Sequence, residues 1–336
     1  MKLQVQLTHK TYDIFIEHGV LQHVGEFTDL NRKVLIISDD GVPREYAETV
    51  LKQCPKGTVH IVKQGEGAKS FPVYESLCKT LLEQGFSRTD LIIALGGGVI
   101  GDLSGFVAAT YLRGIEFINI PTTTLSQIDS SIGGKVAINL ENVKNIVGSF
   151  YHPSVVLIDP DTLRTLPKRH FVNGLIEALK AGLIYDETIL DLFEQYDPAD
   201  VVDEIIYRSL LVKKDVVEQD EKEQNLRRIL NFGHTLGHGI ETVYGLRDLL
   251  HGECVALGMI PMLEDDALKK RVLKIYDKLG IRSAVDFDPE EVFRIMRKDK
   301  KVQGETITVV KVKEPGKARL EKIPVEELRR YLHAAQ

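Results

Sequence analysis

Cysteine is scarce and unpaired in this sequence: Cys54, Cys78 and Cys254 stand far apart among 336 residues, with no CxxC pair. An odd, scattered set excludes both a disulfide framework and a thiolate metal site, and leaves the three as small buried apolar groups. Long hydrophobic runs are missing too. No stretch reaches the roughly 20 uninterrupted apolar residues of a spanning helix, and the opening "MKLQVQLTHK" lacks a leader's apolar segment and cleavage site. The expectation is a cytoplasmic protein with no membrane partner. Positive charge is also in short supply: 43 Lys and Arg against 49 Asp and Glu give a net charge of −6, with no long basic run. That balance leaves no footprint for nucleic acid, so any attraction for anions must be local. Internal repeats and low-complexity segments are absent as well.

What is present is an ordinary globular composition, 43% hydrophobic and 27% charged, long enough for two domains. The period of apolarity changes near residue 160. Before it, the β-rich runs "KVLIIS", "TVHIV", "LIIALG", "IEFINIP" and "VVLID" alternate with helical stretches at 73–84 and 103–109, the pattern of βαβ units. Beyond it come long amphipathic stretches at 168–184, 187–196, 200–219, 226–243 and 251–280, closed by 290–298 and 324–335. The expected fold is α/β followed by α: a Rossmann-like parallel-sheet domain over 1–160 and an all-α domain over 161–336. One exception is "TITVVKVKEPGKARLEKIP", whose alternation about Pro-Gly reads as a small hairpin.

The run Gly96-Gly97-Gly98-Val99-Ile100-Gly101 satisfies GxGxxG between a buried strand and an apolar helix starting near Asp102. Glycines there let backbone N–H groups approach a pyrophosphate, though a plain tight turn satisfies the same pattern. The placement is unusual, because a dinucleotide fingerprint ordinarily follows the first strand. In "IISDDG", Asp39 or Asp40 at a strand end is suited to accept ribose hydroxyls. "SIGGK" is not a P-loop: Asp129 stands where the first glycine belongs, and Val136 follows the lysine where Ser or Thr would hold magnesium.

In "RRILNFGHTLGHGIE", Arg227, Asn231, His234 and His238 are spaced four, three and four apart, so all project from one face if the stretch is one helix. Apolar neighbours and Gly233, Gly237 and Gly239 point to a buried polar stripe rather than a solvated face. "NGLIEALKAGLI" places Glu177 and Lys180 on one helix face, and "LLHGECVALGM" opens a further helix with His251 and Glu253. Three such helices converging supply one carboxylate and two or three imidazoles, the ligand set of a catalytic zinc with an open position.

Taken in order, "GGGVIGDLSGFVAATYLRG", "PTTTLSQIDSSIGGKVAIN", "KNIVGSFYHP", "NGLIEALKAGLI", "DEKEQNLRRILNFGHTLGHGIE" and "LLHGECVALGM" resemble the 3-dehydroquinate synthases over most of the chain, from about Asp39 to Lys301. The resemblance implies an NAD-binding α/β domain and an α-helical domain that binds zinc or cobalt. It puts the metal ligands at Glu177, His234 and His251, with His238 beside them as a substrate or proton-transfer partner. Cofactor contacts fall on Asp39, Glu66, Lys69, Gly97, Gly98, Val99, Asp102, Thr122, Thr123 and the 162–165 stretch with Thr162 and Thr165, and Lys135 and Lys144 border the cofactor as well. Substrate contacts fall on Asp129, Lys135, Lys144, Asn145, Lys180, Lys213, Arg227, Asn231 and His238, with Lys300 preferred over Lys301. Arg113 matches an arginine that reaches a neighbouring subunit's site, which implies a homodimer.

The substrate implied is a sugar acid phosphate, 3-deoxy-arabino-heptulosonate 7-phosphate. The implied reaction is transient oxidation by NAD, β-elimination of phosphate, re-reduction, ring opening and intramolecular aldol closure to 3-dehydroquinate. Several cations around one metal in a chain of net negative charge fit such an anion. Departures from the family pattern are Ile176, where a small residue is usual, and Asn225, where glycine is common. The alternatives are a related sugar phosphate cyclase, an NAD- and metal-dependent polyol dehydrogenase, and a non-catalytic NAD-binding module.

Overall fold

Two strands that the apolar-run pattern does not reveal open the chain. In β1 (Lys2–Gln6) and β2 (Thr11–Ile16), buried Leu3, Val5, Tyr12, Ile14 and Ile16 alternate with more exposed residues, so one face of the antiparallel pair packs inward. The computed structural model describes residues 1–141, 143–297, 302, 303 and 305–335. It divides the chain into two units, Met1–Pro167 and Lys168–Gln336. The division falls later than the change of pattern at residue 160, because the 3-10 turn Pro160–Thr165 is hydrogen-bonded into the first unit. Gln127 Nε2 donates to Asp159 O at 2.9 Å and to Thr162 Oγ1 at 3.0 Å.

The first unit continues with β3 (Lys33–Asp39), α1 (Arg44–Leu51), β4 (Lys56–Val62), α2 (Phe71–Glu83), β5 (Leu91–Gly96), α3 (Gly98–Thr110), β6 (Glu116–Pro121), β7 (Lys135–Leu140), β8 (Val143–Phe150) and β9 (Val155–Ile158). Its main sheet has the order β1-β2-β9-β6-β5-β3-β4, parallel except for β1. β3 and β5 read as unbroken apolar runs because both their faces are covered. Leu35, Ile37, Ile92 and Ala94 pack with Leu77 and Leu81 of α2 and Leu103 and Val107 of α3, while Val34, Ile36, Leu91 and Ile93 pack with Ala47 and Val50 of α1. Each such aliphatic side chain gains about 1.5–3 kcal/mol on full burial, so a polar residue in these runs would be costly. β7 and β8 form a separate two-stranded hairpin.

The direction in which successive strands are added to the sheet reverses between the parallel neighbours β3 and β5. From β3 the chain crosses through α1 on one face, and from β5 through α3 on the other. Ile37 lies beside Ala94, so Asp39 and Gly96 end neighbouring strands at this switch point. Open α/β sheets bind ligands in the crevice outside the carboxyl ends of strands at such a point. The glycine turn therefore occupies the ligand position of the sheet although it does not follow the first strand.

The second unit contains α4 (Lys168–Ile184), α5 (Thr188–Gln195), α6 (Val202–Gln219), α7 (His234–Asp248), α8 (His251–Met259), α9 (Asp266–Leu279), α10 (Pro289–Met296), β10 (Val302–Gln303), β11 (Thr306–Glu314), β12 (Lys317–Pro324) and α11 (Leu328–His333). The expected hairpin forms, and β10 adds a third antiparallel strand, so the unit is helical with a small sheet rather than all α. α4 is buried at every position from Asn173 to Ile184, the mark of an interior helix. The stretch expected as one helix over 251–280 breaks after α8. Pro261 lacks the N–H needed to continue, a 3-10 turn follows, and Asp265 restarts the helix by accepting from Leu268 N at 2.7 Å. Among the described residues no helix is long and apolar enough to cross a membrane. Cys54 and Cys254 are buried as expected, whereas Cys78 is only partly so.

Candidate active site

Three side chains of the second unit meet at one carboxylate. Glu177, in the buried stretch of α4, is 2% exposed, and its Oε1 accepts no hydrogen bond. Its Oε1 lies 3.7 Å from His234 Nε2 and 3.7 Å from His251 Nε2. Lys180, one turn along α4 and also buried, sets its ammonium against Oε2 as an ion pair. The rings of His234 and His251 are 5.2 Å apart, and that of His238 lies 5.2 Å from His234 and 5.8 Å from His251.

Each facing imidazole is held by its far nitrogen. His234 Nδ1 is 3.1 Å from Phe232 O, and His251 Nδ1 is 3.0 Å from Glu241 Oε2. With Nδ1–H donating, the Nε2 lone pair is turned toward Glu177, which is how metal-ligating histidines are usually oriented. Donors on a tetrahedral zinc stand about 3.3–3.4 Å apart, given bonds of about 2.0–2.1 Å. The observed 3.7 Å separations need only a small contraction. A buried carboxylate oxygen without a hydrogen-bond donor, faced by two imidazole lone pairs, fits a divalent metal; the ring nitrogens of His234, His238 and His251 also lie within 4.8 Å of one another. Burial pushes the His251 pKa down, but the Glu241 hydrogen bond and the charges of Glu177 and Glu241 outweigh it and raise the pKa above the usual imidazole value.

Local sequence makes this convergence. The expected single helix over 226–243 is broken, so Arg227 and Asn231 do not share a helix with His234 and His238. Residues Leu226–Asn231 form a 3-10 turn, Phe232 is extended, and Gly233 at φ 76° restarts the chain as α7 with His234 in first position. A side chain at Gly233 would be strained at that φ, and its Cβ would fall 2.7 Å from Val255 O. α8 is brought onto α4 at Gly252, whose N–H donates to Asn173 Oδ1 at 2.7 Å and where a Cβ would fall 2.1 Å from Asn173 O. That contact sets His251 beside Glu177. Glu253 is not part of the cluster: it accepts from Leu250 N at 2.9 Å and from Arg169 at 2.8 and 2.7 Å, and so caps α8. Glu241 and Asn173 were not singled out from sequence. The only hint was position, since Glu241 lies on the His234 and His238 face and Asn173 one turn before Glu177.

Of the remaining cationic and amide candidates in this unit, Lys213 on α6 and Arg227 are buried. Arg227 donates through Nη1 to Glu221 O at 2.5 Å, and its N–H donates to Asp220 Oδ2 at 3.0 Å. Asn231 Nδ2 donates to Glu223 Oε1 at 2.6 Å. Lys300 and its alternative Lys301 lie outside the described residues.

The first unit gathers the other candidates. α3 begins at Gly98 with no side chain capping its N-terminus, so bare backbone N–H groups of Gly98 and Val99 stand at the switch point, the arrangement that receives a pyrophosphate. At the end of the neighbouring strand, Asp39 accepts from Gly41 N at 2.9 Å; burial foremost holds its carboxyl above the usual range. Asp40 is committed elsewhere, to Lys63 Nζ and Gln64 N, both at 2.7 Å. Asp39 is thus the available one of the pair.

Thr122 N donates to Gly96 O at 3.0 Å, and Thr123 Oγ1 is 2.8 Å from Ser126 Oγ, tying the loop after β6 to the glycine turn. The Thr162 hydroxyl is buried and donates to Asp159 O at 2.8 Å, so its side chain serves the fold; Thr165 Oγ1 is 2.9 Å from the Tyr46 hydroxyl. Glu66 and buried Lys69 flank Asp102, with Lys69 Nζ 2.6 Å from Asp102 Oδ2. Asp129 sits in a π turn, Lys135 opens β7, and Lys144 and Asn145 lie on β8. Arg113 is exposed with φ 64°.

Comparison with known proteins bears on what this arrangement serves. The profile described as 3-dehydroquinate synthase N-terminal matches residues 59–173, and that described as 3-dehydroquinate synthase C-terminal matches residues 174–302. The chain belongs to the 3-dehydroquinate synthase family. Like other 3-dehydroquinate synthases it is an enzyme with a parallel-sheet α/β part and a helical C-terminal part. The 3-dehydroquinate synthase of Streptococcus mutans is 40% identical to it over 99% of both chains. In structure it resembles 2-deoxy-scyllo-inosose synthase, solved with carbaglucose-6-phosphate, NAD+ and Co2+, at a TM-score of 0.89 and 25% identity, covering 99% of this chain and 100% of that one. The 2-epi-5-epi-valiolone synthase ValA of Streptomyces hygroscopicus, solved with NAD+ and Zn2+, gives a TM-score of 0.87 at 26% identity, covering 98% of this chain and 97% of that one.

Proposed function

We propose that this enzyme is an NAD- and divalent-metal-dependent 3-dehydroquinate synthase that converts 3-deoxy-arabino-heptulosonate 7-phosphate to 3-dehydroquinate and orthophosphate. The observation that carries the reading is the buried Glu177 carboxylate, paired with Lys180 through Oε2 while Oε1 has no hydrogen-bond donor and is faced at 3.7 Å by two imidazole nitrogens. Identity of 40% to a 3-dehydroquinate synthase, against 25–26% to cyclases of other names, favours this member of the fold. When bound, the metal acidifies and orients a sugar hydroxyl while the dinucleotide takes a hydride and later returns it.

The chain's own residues supply the rest. Glu177, His234 and His251 hold zinc or cobalt. Lys180 neutralises charge beside Glu177, and His238 is placed to bind a substrate hydroxyl or exchange its proton at the imidazole. Lys213, Arg227 and Asn231 receive the substrate's anionic and hydroxyl groups. Lys135, Lys144, Asn145 and Arg227 hold the phosphate, which departs carrying the proton removed in the elimination, and Asp129 is a further substrate contact. Asp39 accepts the ribose hydroxyls, and the amino end of α3 receives the pyrophosphate. The working form is a homodimer in the cytoplasm, with Arg113 reaching the neighbouring subunit. Exposed Leu140, Val143, Ile146 and Phe150 on the β7–β8 hairpin and exposed Leu112 support this, since such an apolar patch on a strand pair invites cover by a second copy.

The test is incubation of the purified protein with the heptulosonate phosphate, substoichiometric NAD+ and zinc. Many equivalents of orthophosphate per NAD+, with no accumulation of reduced nicotinamide, are expected. Steady formation of reduced nicotinamide from glycerol, without phosphate release, would instead identify a polyol dehydrogenase.

A further inference from the structure

The β7–β8 hairpin is irregular in one place. Ile138 pairs with Val147 and Leu140 with Val143, so Lys144, Asn145 and Ile146 face Asn139 alone. Such a bulge re-aims the side chains of the longer strand. Asn139 fills the gap in the ladder. Its Oδ1 accepts the Asn145 N–H at 2.9 Å, which helps to hold Asn145 at φ 54°, a left-handed conformation that Asn tolerates better than most residues.

The other end of the same amide reaches the segment before α2. Asn139 Nδ2 donates to Glu66 Oε1 at 2.8 Å, and Asn139 N donates to Lys69 O at 2.8 Å. Lys69 closes the ring. Its buried ammonium donates to Asp102 Oδ2 at 2.6 Å and to Asn145 Oδ1, and lies 3.7 Å from Glu66 Oε1. Glu66, Asn139, Asn145, Lys69 and Asp102 thus form one connected polar network in which charged groups take part, the kind whose members are coupled rather than independent.

On the family resemblance and the function proposed above, Glu66, Lys69 and Asp102 belong to the dinucleotide, Asn145 to the phosphate of the substrate, and Lys144 to that phosphate while also bordering the dinucleotide. Asn139 belongs to neither set and touches both. We infer that Asn139 is a positioning residue: it shapes the bulge that presents Lys144 and Asn145 and locks that bulge to the Glu66 and Lys69 segment, so that the two ligand seats form one hydrogen-bonded unit. The inference rests on the proposed function for the identity of the two ligands.

The variants that separate the two arms are Asn139→Asp, which keeps an acceptor for the Asn145 N–H but cannot donate to Glu66, and Asn139→Ala, which loses both. In the full-length protein loaded with metal, Asn139→Ala raises the NAD+ Kd, measured by titration calorimetry, about five- to tenfold, as expected for one lost hydrogen bond in a charged network. It raises KM for the heptulosonate phosphate at least as much, with kcat changed less than about threefold and the metal content of wild type. Asn139→Asp raises the NAD+ Kd similarly but KM less. Glu66→Ala raises the sugar phosphate KM in wild type, yet leaves it within about twofold in the Asn139→Ala background, because the contact that transmits the effect is already gone. Asn139→Asp serves as that background if the alanine variant does not fold.

An NAD+ Kd within about twofold of wild type in Asn139→Ala, or Glu66 and Asn139 effects that simply multiply, overturns the inference. Absence of phosphate release by wild type would instead overturn the proposed function, and the NAD+ titrations would then decide the role of Asn139 by themselves.

Discussion

Glu241→Ala is expected to weaken metal binding about 10- to 100-fold while leaving every proposed ligand in place. Glu241 sits on α7, two turns beyond His234, and is 8% exposed. Its Oε2 lies 3.0 Å from His251 Nδ1, and the opposite nitrogen of that ring faces Glu177 Oε1 at 3.7 Å. The carboxylate therefore does two things: it selects the tautomer whose Nε2 lone pair points at the metal position, and it keeps the ring from swinging away. Loss of a hydrogen bond to a charged group costs about 1.5–3 kcal/mol. Tautomer selection alone accounts for only about 0.4 kcal/mol, a factor of two, so the hydrogen bond dominates. Together these come to about 1.9–3.4 kcal/mol, or about 25- to 300-fold, so the loss should fall in the upper part of the 10- to 100-fold range or just beyond it. Glu241→Gln keeps a carbonyl oxygen at the same reach and should lose less than about tenfold. Competition against a chelator of known affinity gives the Kd, and the visible spectrum of the cobalt-loaded protein reports whether the coordination geometry has changed. If Glu241→Ala binds zinc within about threefold of wild type while His251→Ala loses it, Glu241 does not act through His251 and the orientation argument is wrong.

Three further outcomes follow from the same geometry. His234→Ala and His251→Ala should abolish stoichiometric metal by elemental analysis, whereas His238→Ala should retain it; metal loss in the last would make His238 a ligand. Gly233→Ala combines a left-handed φ of 76° with a Cβ 2.7 Å from Val255 O, so it should destabilise the protein by about 3 kcal/mol or more, read as a lower midpoint in urea; a midpoint equal to wild type would show that the α7–α8 approach is not tight. Burial raises the Asp220 pKa, but the N–H groups of Gln224, Asn225 and Arg227 together with the Arg227 charge outweigh it and hold the carboxyl below the usual range. Because the folded pKa is depressed, the stability this gives is present above the unfolded pKa of about 3.9 and is lost as pH falls through the folded value. The stability advantage of wild type over Asp220→Asn should therefore be constant above about pH 5 and close at lower pH, and a gap that widens on acidification would contradict the assignment.

What the sequence determined by itself was whatever repeats within a few residues of the chain. Alternating and unbroken apolar runs specify β3 to β6 and β9, because a strand or helix must bury a face whatever lies against it. Glu177 with Lys180, and His234 with His238, share faces because helix geometry alone puts neighbours three and four residues apart together. Which histidines face which acid was not legible. That depends on the break at Gly233, on α8 seating against Asn173, and on Glu241 turning the His251 ring, contacts between residues up to 79 positions apart. The break itself escaped the pattern because 226–243 keeps its apolar period straight through the turn, and only the packing of α7 on α8 demands a residue without a side chain there. The first two strands were missed because their alternation is short and half polar, and the β8 bulge because nothing in "ENVKNIVG" marks it until β7 lies alongside. Periodicity is a property of one element. Ligand geometry, tautomer and bulge are properties of elements that meet, and the tertiary structure alone decides which ones do.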